Sequence, residues 1–211
     1  MNVRDEAIRL LNQGLSALST QGYEEAKSFF QAAIEKDTSL AAAHNNLGLI
    51  YLTQSQLEEA KQEFEKALEL DPKQYSAYNN LAAIAQGQGN LSEAERMYLK
   101  SVQLNANNPD AYYNLGLLYI QQKKHVQAKT ALEKVTQLNP ENLDAFYVLG
   151  TVYSELQDYY AAIANLQFVV FNQPQILEAR VALAEMYRRQ GKYPIALNEL
   201  KGAVELAPED P

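Results

Sequence analysis

Residues 41–74 read AAAHNNLGLIYLTQSQLEEAKQEFEKALELDPKQ, and the pattern in this stretch recurs along almost the whole chain. At a spacing of 34 residues, a Leu followed by Gly or Ala returns at Leu47, Leu81, Leu115, Leu149 and Leu183. Six units of 34 residues, beginning at Ala7, account for 204 of the 211 residues. We therefore predict one array of six repeats, with boundaries at 7–40, 41–74, 75–108, 109–142, 143–176 and 177–210.

Each unit reads as two amphipathic helices joined by a short polar turn. In the second unit, the first helix is predicted from Ala41 to about Thr53 and the second from Leu57 to Leu70, because large residues recur at helical spacing on one face of each. The small residue Gly48 and its equivalents fall where the two helices should come closest. Proline lacks an N–H and should end the second helix, at Pro72, Pro140, Pro174 and Pro208. No stretch alternates with a period of two, so the predicted fold is all-α.

The order of these residues resembles the tetratricopeptide repeat (TPR): a large residue, Leu-Gly and Tyr in the first helix, then Ala, an aromatic residue, Ala and Pro. Residues 41–74 match every one of these positions, whereas Arg180 replaces the usual aromatic residue and Ala17 and Ala85 replace the usual Tyr. The resemblance implies a right-handed α-solenoid, a superhelix of six helix-turn-helix TPR units whose neighbours stack to bury their apolar faces. It also implies that the first helices line a concave groove and the second helices face outward.

The composition excludes several classes of function. The chain has no Cys, so it offers no disulfide framework, thiolate metal site or Cys nucleophile. Its 26 acidic against 18 basic residues give a formal charge of -8, which argues against a surface that binds nucleic acid phosphates. The N-terminus does not resemble a secretory signal, and no apolar run approaches the ~20 residues that cross a bilayer. We expect a cytoplasmic protein that neither binds nucleic acid nor inserts into a membrane.

Few residues could carry catalysis. His44 takes a position filled by Tyr or Phe in the next three units, so we expect it to pack in the core, and His125 follows two lysines in a turn expected at the surface. No nucleotide-binding, metal-binding or nucleophile motif appears. Acidic residues cluster on the second helices among lysines, as on a solvated helix face. We predict that the protein is not an enzyme and has no catalytic residues, metal site or cofactor.

The resemblance assigns the ligand contacts to the groove-facing positions of the first helices. The sixth position of the first four units is Asn in each case: Asn12, Asn46, Asn80 and Asn114. An Asn side chain offers one acceptor and two donors, so such a ladder could bond the main chain of an extended peptide; the alternative is a scaffold preference of the whole family. The fifth and ninth positions add further predicted groove residues, namely Asn45, Asn79, Tyr113, Tyr147, Leu49 and Leu117.

The chemistry of this predicted groove indicates the class of ligand. Its first four units are almost uncharged, and charge gathers at the C-terminal end at Arg188 and Arg189, near Glu155 and Glu185. Lys and Arg are absent from the fifth and ninth positions, so the groove lacks the clamp with which TPR co-chaperones hold a carboxylate tail. We expect instead an extended or helical segment with apolar or aromatic anchors.

The leading prediction is a non-catalytic adaptor that binds such a segment of a partner protein. Two alternatives stay open: a self-associating scaffold that organises a multiprotein assembly, and the substrate-docking arm of a larger enzyme. For the scaffold, the last helix, from Tyr193 to Leu206, is predicted to leave an uncapped apolar edge through which copies could associate. That edge is expected to include Ile195, Leu200 and Ala203.

Overall fold

The computed structural model describes residues 2–206, and throughout that range the secondary structure consists of helices and turns. The chain divides into two compact units, one ending at Ala106 and the other beginning at Asn107. The first unit contains α1 (Val3–Ser19), α2 (Tyr23–Lys36), α3 (Ala41–Thr53), α4 (Leu57–Leu70), α5 (Tyr75–Gly87) and α6 (Leu91–Leu104). The second contains α7 (Pro109–Gln121), α8 (His125–Leu138), α9 (Leu143–Glu155), α10 (Tyr159–Asn172), α11 (Leu177–Arg189) and α12 (Tyr193–Leu206). The predicted all-α fold is confirmed.

Each predicted repeat contributes one pair of helices, so odd-numbered helices are first helices and even-numbered ones are second helices. The two helices of every pair pack against each other. Within the units, a second helix also packs on the first helix of the following repeat, as α2 does on α3 and α10 on α11. The end of the sixth repeat, including Pro208, lies outside the described residues, and the single array of six repeats stays a prediction.

The turn between the two helices has the same geometry in every repeat. The fifteenth residue of each repeat has a positive φ, between 58° and 80°, although only two of the six residues are Gly. The amide that follows donates to a carbonyl five residues back, as Gly22 N does to Ala17 O at 2.9 Å. This is the Schellman arrangement that ends an α-helix. It reverses the chain within three residues and therefore makes each pair of helices antiparallel.

The second helices end at an Asp or Asn more regularly than at a Pro. Asp37, Asp71 and Asn139 each follow the last helical residue, and the side-chain oxygen of each accepts a bond from the amide two residues on. These Asx turns offer the backbone an alternative to continuing the helix. The helix α2 ends in this way with Thr38, as in the sequence, at the position that Pro takes in other repeats, so an Asx turn ends a second helix even where Pro is absent.

The two helices of a repeat meet closest where a small residue of the first faces a large residue of the second. A Cβ added to Gly48 would lie 2.7 Å from Cε1 of Phe64, and one added to Gly116 would lie 2.8 Å from Cγ of Leu132. Both large side chains are fully buried. The predicted role of Gly48 and its equivalents is therefore confirmed, because only a missing or very small side chain lets the two backbones approach this far.

Two first helices carry a polar residue where the repeat usually has an aromatic one, and each is paired with a Glu of the second helix. His44 is 8% exposed, as its predicted core position requires, and its Nδ1 lies 2.6 Å from Oε2 of Glu63. Nη1 of Arg180 lies 3.1 Å from Oε2 of Glu199 in a mostly buried pair. In the third and fourth repeats the same two positions hold the less polar pairs Tyr78 with Met97 and Tyr112 with Ala131. The sequence thus departs from the repeat pattern at both positions together.

The predicted apolar edge of α12 is only partly as expected. Ile195 and Leu200 are exposed, but Ala203 is buried, as are the residues at the same position of the other repeats. Further apolar residues of α12 are exposed instead, namely Tyr193, Leu197, Val204 and Leu206.

Replacing Gly48 by Ala tests the close contact between the helices. We expect Gly48→Ala to lower the free energy of unfolding by about 1–3 kcal/mol, because the new methyl group overlaps the fixed ring of Phe64. Urea unfolding followed by circular dichroism measures the change. Gly87→Ala is the matched control, since a Cβ there meets nothing within 4 Å, and we expect it to be neutral or stabilising by up to about 1 kcal/mol. Equal losses in both variants would contradict the packing interpretation.

A double-mutant cycle tests the interaction between His44 and Glu63 in the second repeat. We expect His44→Tyr and Glu63→Met to destabilise the protein by about 1–2 kcal/mol each, because each leaves a largely buried partner without its hydrogen bond. The double variant recreates the Tyr78 and Met97 pair of the third repeat and should recover about 1 kcal/mol or more of the summed loss. Strictly additive losses in urea unfolding would show that the two side chains do not stabilise each other.

Candidate functional site

All ten predicted groove residues lie on first helices: α1, α3 and α5 in the first unit, and α7 and α9 in the second. One pair of neighbouring first helices is in contact in each unit, α3 with α5 in the first and α9 with α11 in the second. Residues at the fifth, sixth and ninth positions of successive repeats therefore stand side by side on a common face. We call this the first-helix face and describe it separately in each unit.

The first-helix face of the first unit carries amide side chains, some of which bond to the protein itself. Asn12 is exposed, whereas Asn46 and Asn80 are half-buried. Nδ2 of Asn46 donates to the carbonyl of Ala42 in its own helix at 2.7 Å. Nδ2 of Asn80 donates to Oδ1 of Asn45 in a long bond of 3.4 Å that connects α5 to α3. The amide row predicted from the sequence is thus present at the surface and is partly engaged in the scaffold.

Asn45, at the fifth position of the second repeat, is the buried amide of this face and is only 6% exposed. Its position explains the bond with Asn80, because a buried amide needs a partner. Asn45 therefore presents little of its side chain to a ligand, unlike Asn46 beside it. Asn79 is half-buried, and Leu49 packs partly over the cluster that contains Phe64.

The first-helix face of the second unit carries aromatic and aliphatic side chains. Tyr113, Asn114, Leu117 and Tyr147 are all half-buried. Burial raises the pKa of the Tyr113 hydroxyl, and the nearby negative charge of Asp144 adds to that effect. Tyr147 packs against the core cluster that contains Leu183. These rings are held at their base while part of each remains accessible, an arrangement that limits the entropy lost when a ligand orders them.

Two arginines at the end of the second unit share one carboxylate. Nε of Arg188 donates to Oε2 of Glu185 at 2.6 Å, and Nε of Arg189 donates to Oε1 at 2.8 Å. These two hydrogen bonds lower the pKa of Glu185 to about 2, so its carboxylate stays charged at neutral pH. The Arg189 guanidinium also lies 5.8 Å from the ring of Tyr159. The i, i+3 and i, i+4 spacing of these residues was the sequence signal for this pairing.

The described residues offer little else for chemistry. No three His, Asp or Glu side chains within residues 2–206 are grouped so that they could hold a metal ion. His44 is engaged by Glu63. His125 is the first residue of α8 and is half-buried, so it does not lie in the exposed turn that the sequence predicted. None of the helices in the same range is long and apolar enough to cross a membrane.

Family models match most of the chain. Tetratricopeptide repeat models match residues 41–74, 63–96 and 147–211. A model described as subunit 3 of the anaphase-promoting complex, or cyclosome, matches residues 87–169. Taken together, the matched ranges run without a gap from residue 41 to residue 211. No curated protein has a sequence that matches the chain.

Solved structures with this fold cover nearly all of the chain. PilF of Pseudomonas aeruginosa is 25% identical with a TM-score of 0.84, over 98% of this chain and 95% of PilF. YrrB, described as a TPR protein with an unusual peptide-binding site, is 23% identical with a TM-score of 0.77, over 85% of this chain and 93% of YrrB. The MamA protein is 24% identical with a TM-score of 0.72, over 79% of this chain and 91% of MamA.

These similarities agree with the repeat geometry of the structure. The twelve helices described between residues 2 and 206 form the six pairs that six repeats require. TPR domains are generally non-catalytic, and their fold supports protein–protein interaction. The chain is a tetratricopeptide repeat protein with the all-α fold of TPR solenoids.

Proposed function

We propose that the protein is a non-catalytic adaptor that binds a peptide or helical segment of a partner protein on its first-helix face. The observation that carries this proposal is the chemistry repeated along that face. Half-exposed amides at the sixth position are followed by half-exposed Tyr and Leu side chains at the fifth and ninth positions. The peptide-binding site described for YrrB, which shares the fold, supports the proposal.

Each unit offers its own chemistry to a bound segment. The amides of Asn12, Asn46 and Asn80 can bond the C=O and N–H groups of a segment without regard to its side chains. Tyr113 and Tyr147 are half-buried aromatic residues, and Tyr147 is partly fixed by its packing on the core; such aromatic residues often dominate interface energies. A segment bound to the first unit is therefore expected to use its main chain, and one bound to the second unit to use apolar or aromatic side chains.

A charged-tail ligand is disfavoured by the state of the charged groups. A carboxylate clamp needs cations that are available to the ligand, and the fifth and ninth positions supply no Lys or Arg. Arg188 and Arg189 at the end of the second unit already share the carboxylate of Glu185. Part of their charge is therefore already compensated, so a ligand carboxylate would gain less from these arginines than from two unpaired ones.

The choice of Asn variants follows from their burial. We expect Asn45→Ala to lower the free energy of unfolding by about 1 kcal/mol, because it removes the acceptor for Asn80 from a buried site. Asn46→Ala should change the stability by less than about 0.5 kcal/mol, because Asn46 is half-exposed and bonds only its own helix turn in the first unit. Thermal unfolding followed by circular dichroism distinguishes the two. A larger loss for Asn46→Ala would contradict this assignment.

Peptide selection tests the binding function itself. A phage-displayed library of random dodecapeptides is selected on the immobilised chain, and fluorescence polarisation then gives the affinity of the enriched peptides. We expect the triple variant Asn46→Ala/Asn80→Ala/Asn114→Ala to bind them at least about tenfold more weakly, since each lost peptide contact is worth a fraction of the 1.4 kcal/mol that corresponds to a factor of ten.

The matched control changes three exposed residues at one position of the second helices in the same three repeats, namely Gln62→Ala/Arg96→Ala/Thr130→Ala. This control should bind the enriched peptides as the wild type does. Equal affinity of the Asn triple variant and the wild type would remove the amides from the site. Failure to enrich any peptide would overturn the proposed function.

A further inference from the structure

The helix α10 differs from every other second helix in having no charged residue. Its sequence from Tyr159 to Asn172 contains no Asp, Glu, Lys or Arg, whereas each of the other five second helices contains at least three such residues. The charged residues of those helices belong to solvated faces. An uncharged second helix in a chain with a formal charge of -8 therefore indicates a surface that serves contact with another molecule and not solvation.

The exposed side of α10 is an aromatic stripe. Tyr160 is 77% exposed, Phe171 is 85% exposed and Phe168 is 38% exposed. Together with the exposed Ala164 and Gln167, they follow the i, i+4, i+7, i+8, i+11 spacing of a single helix face. The corresponding positions of other repeats hold polar residues such as Glu58, Lys66 and Glu69 in the second repeat. We call these five residues of α10 the aromatic stripe.

The aromatic stripe is anchored from beneath. The ring of Phe168 lies 4.4 Å from the ring of Phe146 on α9, measured between centroids. Nζ of Lys192, at the turn before α12, lies 5.7 Å from the centre of the Tyr160 ring. The contact with Phe146 fixes the position of the Phe168 ring, and the Tyr160 ring has a cation beside it.

The size of the stripe limits the kind of interface it can form. An aromatic side chain offers roughly 200 Å² of surface, so the three rings at these exposures present on the order of 400 Å². This equals the largest apolar patch of a typical soluble monomer. It is about half of what each partner contributes to a standard interface of roughly 800 Å² per side. The stripe therefore suits a weak and reversible association.

The lack of charge on the aromatic stripe and the symmetry of its spacing favour a second copy of the chain as the molecule that packs against it. A partner surface should bring no carboxylate to the rings, because burying an unpaired negative charge against them would be costly, and the five residues of the stripe meet that requirement. Two acidic copies would repel each other across Glu-rich helices such as α4, but α10 itself contributes no charge, and the neighbouring cation, Lys192, already lies beside the Tyr160 ring. In an antiparallel pair of α10 helices centred near Leu166, Tyr160 falls opposite Phe171 of the second copy. Phe168 then falls opposite the small Ala164.

We propose that two copies of this protein associate through the aromatic stripe of α10, packed antiparallel about a two-fold axis. Such an isologous contact uses the same residues on both copies, with ring against ring at its two ends and Phe168 against the one-carbon side chain of Ala164 nearer its centre. The stripe lies on a second helix and the proposed peptide-binding face lies on first helices. Loss of self-association and loss of peptide binding are therefore separate outcomes.

Analytical ultracentrifugation of the 211-residue chain tests the association. Between about 1 and 200 µM, the weight-average mass should rise from the monomer value of 23.7 kDa toward twice that value. Added NaCl should preserve or strengthen the association, because it screens the repulsion between two acidic copies. Phe171→Glu should weaken it at least about tenfold, since it buries a charge at both ends of the contact.

Gln137→Glu is the matched control, because it introduces the same residue at the same exposed position of α8, and its association should equal that of the wild type. A constant monomer mass over the whole range would overturn the proposal. Association that survives Phe171→Glu would also overturn it, because the contact would then lie elsewhere, for example on exposed α12. A monomer that cosediments with neutral phosphatidylcholine vesicles would assign the stripe to a lipid surface instead.

Disulfide trapping tests the predicted geometry. The chain contains no Cys, so one introduced thiol reports on a single position. Gln167→Cys lies near the two-fold axis, and its oxidised dimer should form several-fold faster than that of Gln137→Cys. Combining Gln167→Cys with Phe171→Glu should remove this advantage. Equal rates for the two single-Cys variants would rule out the antiparallel α10 contact.

Discussion

The close contact between a small residue of the first helix and a large residue of the second is the constraint on which the rest of each repeat depends. At Gly48 and Phe64 the backbones are so near that a methyl group does not fit. This contact fixes the distance between the helices and buries the ring completely. The turns set the direction of the second helix. A residue with a positive φ at the same place in every repeat reverses the chain in the same way.

Much of this architecture could be predicted from the sequence because the same pattern recurs in six units. An ambiguous residue in one unit is therefore outweighed by the matching residues of the others. The bounds predicted for α3 and α4 agree with the structure, since the same apolar spacing occurs in several units. The left-handed turn residue could not be predicted as readily. Gly fills it in only two repeats, and Gln21, Ser55, Lys123 and Gln157 adopt the same conformation without the usual sequence signal. There, the tertiary constraint overrides the preference of the single residue.

The candidate site was less predictable than the fold for a physical reason. The position in the repeat tells which side of a helix a residue occupies, but it does not tell how deeply the neighbouring repeats cover it. Asn45 and Asn46 are adjacent in the sequence and both amides, yet one is buried and bonded to Asn80 while the other is half-exposed. Likewise, the repeat pattern marks His44 and Arg180 as departures but does not name Glu63 and Glu199 as their partners.

A residue that differs from the repeat pattern indicates function only where no partner residue of the fold compensates for the difference. The polar residues His44 and Arg180 each pair with a Glu on the facing helix, so both are stabilised within their own repeats. The departure at α10 is different, because its rings are exposed to solvent where the second repeat has Glu58, Lys66 and Glu69. Nothing within the repeat requires Phe171 to be aromatic at 85% exposure. Exposed rings such as Tyr160 and Phe171 cost solubility, so a contact outside the chain explains them best.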